Sequence, residues 1–292
     1  MLSLDEVRVA QERLQGVCVR TPVLRFDELD EAVGATVWLK AESLQLTGSF
    51  KFRGAYNAVA SLTATERASG VCTVSSGNHG QALALAGRML SSSVRVHLPS
   101  DAPRTKVDAI RTQGADVVLF DRYAVSQADL SDELVRDGKP LYISAHDDTR
   151  VMAGAGTIAL EFFDQVAHLD TIVVPVGGGG GIAGIGSVAK VLNPECRILG
   201  AEPAASEVNR RSLLAGHRIQ VALPRTIADG QILTTPGALT FPIMCDVVNE
   251  IVLVTERQIR NAVRFLHNQC GITVEPSPQI SESAAGSMPR SR

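Results

Sequence analysis

The chain is 292 residues long, 45% hydrophobic and 20% charged, with a formal net charge of −3, which excludes a disordered protein, since disorder needs low hydrophobicity and high net charge. Its 28 basic and 31 acidic residues are interspersed, so no excess positive field exists for nucleic acid or an anionic membrane, and a small molecule is the expected partner. Only 8 Phe, 3 Tyr and 1 Trp stand beside 25 Gly, so the core must rest on Val, Ile, Leu and Ala, as in α/β proteins whose parallel strands are buried on both faces.

The first twenty residues carry Asp5, Glu6, Arg8, Glu12 and Arg13, where a secretory signal would need an unbroken apolar stretch. The five cysteines (Cys18, Cys72, Cys196, Cys245 and Cys270) are odd in number, widely spaced and without a C-x-x-C, which argues for reduced thiols in the cytoplasm rather than a disulfide framework or zinc site. Ser3-Leu-Asp-Glu6 fits a capping box and predicts a helix to about residue 17, with a strand near 37–40. A helix over 49–62 comes next. Short β-branched runs then predict strands at 71–74, 94–98, 117–120, 172–176, 198–201 and 251–254. Helical patterns lie between and after them at 78–90, 105–113, 149–166, 182–192 and 256–269. This alternation implies parallel sheets covered by helices, and the length suits about two domains. Residues 171–189 contain no charge, but Pro175 and seven glycines make a poor lipid-facing helix, so a strand entering a glycine turn is expected and no membrane span. The stretch 276–292 abandons the pattern for Ser, Pro and Gly and reads as an irregular tail.

In such folds ligands collect at the carboxyl ends of the strands and at the turns that follow, and three turns stand out. In Leu46-Thr-Gly-Ser-Phe-Lys-Phe-Arg-Gly-Ala55, Lys51 sits among small and apolar neighbours. Burial would lower its pKa and leave an amine able to form a Schiff base with an aldehyde; the alternative is a solvated helix residue. Val74-Ser-Ser-Gly-Asn-His-Gly-Gln81 ends a strand in small hydroxyl and amide side chains, suited to an oxyanion or merely to an N-cap. Val173-Val-Pro-Val-Gly-Gly-Gly-Gly-Gly-Ile-Ala-Gly184 sets five glycines after a buried strand, so backbone N–H groups can close on a phosphate. The same segment offers a rival: Gly179-x-Gly181-x-x-Gly184, with Glu202 about twenty residues on, is formally a dinucleotide fingerprint, as is Gly154-Ala-Gly156-Thr-Ile-Ala159. A nicotinamide oxidoreductase therefore stands as an alternative from another class.

In order and spacing, Lys40-x-Glu42, TGSFKFRGA, SSGNHGQALA, MAGAGTIALE, VPVGGGGGIAG, Ala201-Glu-Pro203, Thr226-Ile-Ala-Asp-Gly230 and Val274-Glu-Pro-Ser277 resemble the fold-type II pyridoxal-phosphate enzymes, within them the threonine/serine dehydratase and serine racemase family. The resemblance implies two parallel-rich three-layer αβα domains: residues 1–46 and 146–277 as the large, cofactor-binding domain and 47–145 as the smaller one, with 278–292 as the tail. It implies that Lys51 holds pyridoxal 5′-phosphate as a Schiff base, that Phe50 packs by its ring, and that Asn78 bonds the phenolic oxygen. Gly177, Gly178, Gly179 and Gly180 would cradle the phosphate, with Gly230 on the opposite wall. Ser75, Ser76, Gly77, Asn78 and His79 would grip the substrate carboxylate. The implied activity is an ammonia-lyase that converts L-threonine or L-serine to a 2-oxo acid and ammonia; the alternative is serine racemase, with Ser76 as acid/base on the second face. A homodimer is implied as well.

Two departures from the family pattern are visible. The family's divalent cation site would use Glu202 and Ser206 here, but the position of its last carboxylate is Val208, which leaves too few convergent oxygens for a hard cation. After Ser277 the sequence lacks the S-G-G-N-like turn whose side chain meets the pyridine nitrogen, so a shortened, weakly active cofactor-binding relative is a further expectation.

Overall fold

The computed structural model of the protein describes residues 1–75 and 77–277; the irregular tail expected over 278–292 lies outside them. The chain divides into two units, one holding residues 1–4, 20–41 and 158 onward, the other 5–19 and 42–157. Among the described residues, no helix is long and apolar enough to cross a membrane.

In chain order the elements begin with α1 (Leu4–Leu14), β1 (Val23–Leu24), α2 (Asp27–Val33) and β2 (Leu39–Lys40). Helix α1 stops three residues short of the expected end because Gly16 turns the chain at φ 74. The two-residue strands β1 and β2 pair antiparallel. Next come α3 (Lys51–Ala60), α4 (Ala64–Ala68), β3 (Val71–Val74), α5 (Asn78–Met89), β4 (Val94–Pro99), α6 (Arg104–Thr112), β5 (Asp116–Phe120), α7 (Gln127–Asp137), β6 (Leu141–Tyr142) and α8 (Thr149–Gln165). Their four strands form one parallel sheet in the order β5-β4-β3-β6. Strand β3 is central and buried along its whole length, and so reads as a continuous apolar run rather than an alternation. The core of this unit gathers Phe52, Val59, Leu83, Val96, Leu98, Ile110 and Ile143 from the strands and helices around it.

The remaining elements are β7 (Thr171–Pro175), α9 (Gly180–Leu192), β8 (Arg197–Pro203), α10 (Val208–Ala215), α11 (Thr240–Val247), β9 (Glu250–Val254) and α12 (Glu256–Cys270). They build a second parallel sheet, β7-β8-β9. The uncharged stretch tested for membrane length is β7, the glycine turn and α9. Helix α12 opens with a capping box between Thr255 and Gln258 and closes at Gly271, φ 67, the two signals that a helix needs at its ends.

Candidate active site

Lys51 is the first residue of α3. Its Nζ donates to the Ala145 carbonyl at 2.8 Å and lies 5.1 Å from the centre of the Phe50 ring. Withdrawal from water pulls the amine down from 10.5 to about 8, because burial disfavours the ammonium. The side chain is half-buried, unlike the solvated helix lysine that was the alternative.

The head of α3 is fixed by Arg53, whose side chain is 1% exposed. Its Nε and Nη2 donate to the two Glu42 carboxylate oxygens at 2.8 and 2.9 Å, and Nη2 also reaches the Val19 carbonyl at 3.2 Å. Such a fork on a carboxylate fixes direction as well as distance. Glycines set the spacing of α3 and α8. A Cβ on Gly54 would stand 2.7 Å from the Val151 carbonyl oxygen, and one on Gly154 2.5 Å from that of Arg53. The second formal dinucleotide fingerprint is thus a packing motif inside a helix.

In the same unit β3 runs out into the Ser75–His79 turn and α5. Gly77 precedes the helix at φ 156, ψ −76, a conformation closed to side chains. Ser75 Oγ accepts from the N–H of Gly77 and of Gly80, both at 3.1 Å. Ser75 is thus a capping side chain of this turn; Ser76 lies outside the described residues. Asn78 and His79 open α5, where N–H groups lack intrahelical acceptors. His79 is 2% exposed; burial first, and the Lys51 charge second, hold its pKa down at about 3, so its ring is neutral. One residue that the sequence did not single out joins this turn. Lys106 of α6 lies against it, its Cδ 2.4 Å from where a Gly77 Cβ would be. Nothing local betrays Lys106, which reads as an ordinary residue of an amphipathic helix.

The glycine turn follows β7 in the other unit. Gly179 takes φ 92 at the head of α9, and a Cβ there would stand 2.8 Å from Met244 Sδ. A Cβ on Gly177 would stand 3.1 Å from the Gly230 carbonyl oxygen, so Gly230 does face this turn, and its N–H donates to Ser277 Oγ at 3.1 Å. Backbone alone fits here, which suits an anion held by N–H groups at a helix start.

Glu202, in β8, turns its carboxylate to the head of α10. Its carboxylate accepts from the Asn209 N–H and Nδ2 at 3.0 and 2.9 Å and from the Arg210 N–H at 3.1 Å, at the head of α10. Burial nonetheless raises its pKa. Ser206, the other expected cation ligand, is buried and its N–H donates to the Pro203 carbonyl. Among the described residues no group of three or more His, Cys, Asp or Glu could hold a metal ion.

The family model described as pyridoxal-phosphate dependent enzyme matches residues 14–286. The serine racemase of Dictyostelium discoideum is 40% identical over 285 residues, 97% of this chain and 88% of the relative. The L-threo-3-hydroxyaspartate ammonia-lyase of a Pseudomonas species is 39% identical over 275 residues, 94% of this chain and 86% of the relative. Among solved structures, the processed form of threonine deaminase isoform 2 from Solanum lycopersicum superposes with a TM-score of 0.88 at 32% identity, over 98% of this chain and 80% of that one. These matches set aside the nicotinamide alternative: the chain belongs to the pyridoxal-phosphate-dependent enzymes, in the company of ammonia-lyases and serine racemases.

Proposed function

We propose that the protein is an ammonia-lyase that converts a 2-amino-3-hydroxy acid, L-threonine or L-serine, to a 2-oxo acid and ammonia, with Lys51 as the lysine that carries the cofactor. The observation that carries this reading is the Lys51 amine, drawn down to about 8 at the head of α3. The glycine turn fits the cofactor's phosphate, since a Cβ at Gly179 would stand 2.8 Å from Met244 Sδ and 2.9 Å from Thr240 Oγ1, and one at Gly177 would be crowded at 3.1 Å by the Gly230 carbonyl oxygen. Asn78 is the proposed partner of the phenolic oxygen, and Phe50 packs beside the lysine.

Pyridoxal phosphate, when bound, supplies an electron sink for the carbanion left at the substrate Cα. Lys51 Nζ takes the Cα proton, a task for which a pKa near the working pH is suited. The turn of Ser75, Ser76, Gly77, Asn78 and His79 receives the substrate carboxylate, and Lys106 adds a cation beside it. The Cα proton and the β-hydroxyl leave together as water, and the enamine released hydrolyses to the 2-oxo acid and ammonia. By family likeness we take the protein to act as a homodimer in the cytoplasm.

Serine racemase is the second reading, favoured by the 40% identity to the Dictyostelium enzyme; in it Ser76 exchanges the proton on the opposite face. Purified protein supplied with pyridoxal phosphate is expected to release 2-oxo acid from L-threonine and L-serine faster than it forms D-serine from L-serine. Inversion outrunning ammonia release would replace the first reading by the second.

A further inference from the structure

Three successive carbonyl groups of the glycine turn each accept a hydrogen bond from a buried side chain of a different element. Gln231 Nε2 donates to Val176 at 2.9 Å, Asn209 Nδ2 to Gly177 at 2.9 Å and Thr240 Oγ1 to Gly178 at 2.6 Å. The donors come from 55, 32 and 62 residues away along the chain, and Gln231 is 4%, Asn209 0% and Thr240 0% exposed. Each tie is reinforced. Asn209 is anchored on Glu202 through its N–H and its Nδ2, Gln231 Nε2 also reaches the Ala201 carbonyl at 3.1 Å, and the Gly237 N–H joins Thr240 on the Gly178 oxygen at 3.3 Å.

The geometry has a consequence on the other side of the backbone. In a planar trans peptide the carbonyl and the following N–H point in opposite directions. Fixing the carbonyls of residues 176, 177 and 178 therefore fixes the N–H groups of 177, 178 and 179 on the reverse side, next to the head of α9. A run of five glycines left to itself would lose more conformational freedom on ordering than any other run of that length. Here the ordering is done by the fold, through donors that have no water to turn to instead.

We propose that Gln231, Asn209 and Thr240 are positioning residues that hold the N–H groups of Gly177, Gly178 and Gly179 as a preorganised cradle for the phosphate of the cofactor. The inference rests on the reading of the chain as a pyridoxal-phosphate enzyme and adds which side chains make its glycines a phosphate site.

The test compares a ligand that carries the phosphate with one that lacks it. Cofactor-free protein is titrated by absorbance with pyridoxal phosphate and with 5′-deoxypyridoxal, which presents the same aldehyde. The unaltered protein is expected to prefer the phosphorylated ligand. Thr240→Val keeps the shape and removes the donor, and is expected to weaken pyridoxal phosphate about tenfold while leaving deoxypyridoxal within about twofold. Thr240→Ser should restore the preference, and Gln231→Met should lower it like Thr240→Val. Variants that keep the original ratio, or that lose both ligands equally, would overturn the cradle. Unaltered protein that binds both ligands equally would do the same and leave the cofactor reading standing. Unaltered protein that binds neither would overturn both.

Discussion

Lys51 meets two opposed demands, since a position that frees its amine for chemistry must also bear the cost of burying a charge. The folded pKa of about 8 lies below the unfolded 10.5. Its contribution to stability is therefore intact above pH 10.5 and is lost as pH falls toward 8. In cofactor-free protein Lys51→Met is expected to raise stability at pH 7 by about 1–3 kcal/mol, less than the full conversion because the side chain is half-buried, and to change little near pH 10.5. Urea midpoints at the two pH values measure the difference, and a variant less stable at pH 7 would contradict it. At this scale the sequence was informative only where function needs a local signature. Lys51, Asn78 and the glycines could be picked out because their neighbours are unusual for their kind. Lys106, Asn209, Gln231 and Thr240 could not, because each acts on a residue brought to it by the chain's path rather than by its own segment. Glu202 was ambiguous for a related reason: a carboxylate at a strand end looks the same whether it faces a ligand or caps the next helix.

Among elements, the pair α3 and α8 decides where the lysine stands. Their backbones approach so closely at Gly54 and Gly154 that a single methyl group on Gly154 would stand 2.5 Å from the Arg53 carbonyl oxygen and 2.6 Å from the Gly54 Cα. Neither neighbour is the free end of a side chain, so the helices must part. Gly154→Ala is expected to lower stability by about 1–3 kcal/mol and to shift the pH dependence of cofactor loading, since Lys51 rides on the helix that moves. Unchanged urea midpoints and an unchanged loading profile would contradict the account of this contact. Apart from α1, which ends three residues early, the long, strongly patterned elements were legible to within a residue or two; β3 falls on the expected run, and α8 begins where its pattern begins. The elements that escaped were short or lacked an apolar face to announce them; α10 and α11 bury Val208, Phe241 and Met244 but are only eight residues long. Helices α4 and α7 bury no residue, α2 buries only Leu29, and β1 and β6 are two residues long. Lys40-x-Glu42 shows the limit of a motif read as one piece: Lys40 pairs with Glu161 at 2.6 Å in one unit, and Glu42 with Arg53 in the other.

For the whole molecule, two parallel sheets on one chain repeat the same device. In each, a strand ends at a turn where glycine conformation matters and a helix begins: β3 leads to Gly77 and α5, and β7 leads to Gly179 and α9. The shared family explains why both turns are present, and the chemistry of the residues explains what each is suited to hold. The composition was an accurate guide to this, as glycine replaces side chains where backbone must reach a ligand and aliphatic residues fill the buried strands. It could not indicate that the sheet is divided in two, since strand runs are alike whichever sheet they join. The central claim concerns one residue among the five lysines of the chain, Lys40, Lys51, Lys106, Lys139 and Lys190. Loading the protein with pyridoxal phosphate, reducing the imine with borohydride and locating the added mass by peptide mass spectrometry tests it directly. The adduct is expected on the peptide that contains Lys51 and nowhere else, and an adduct on another lysine, or none, would contradict the account.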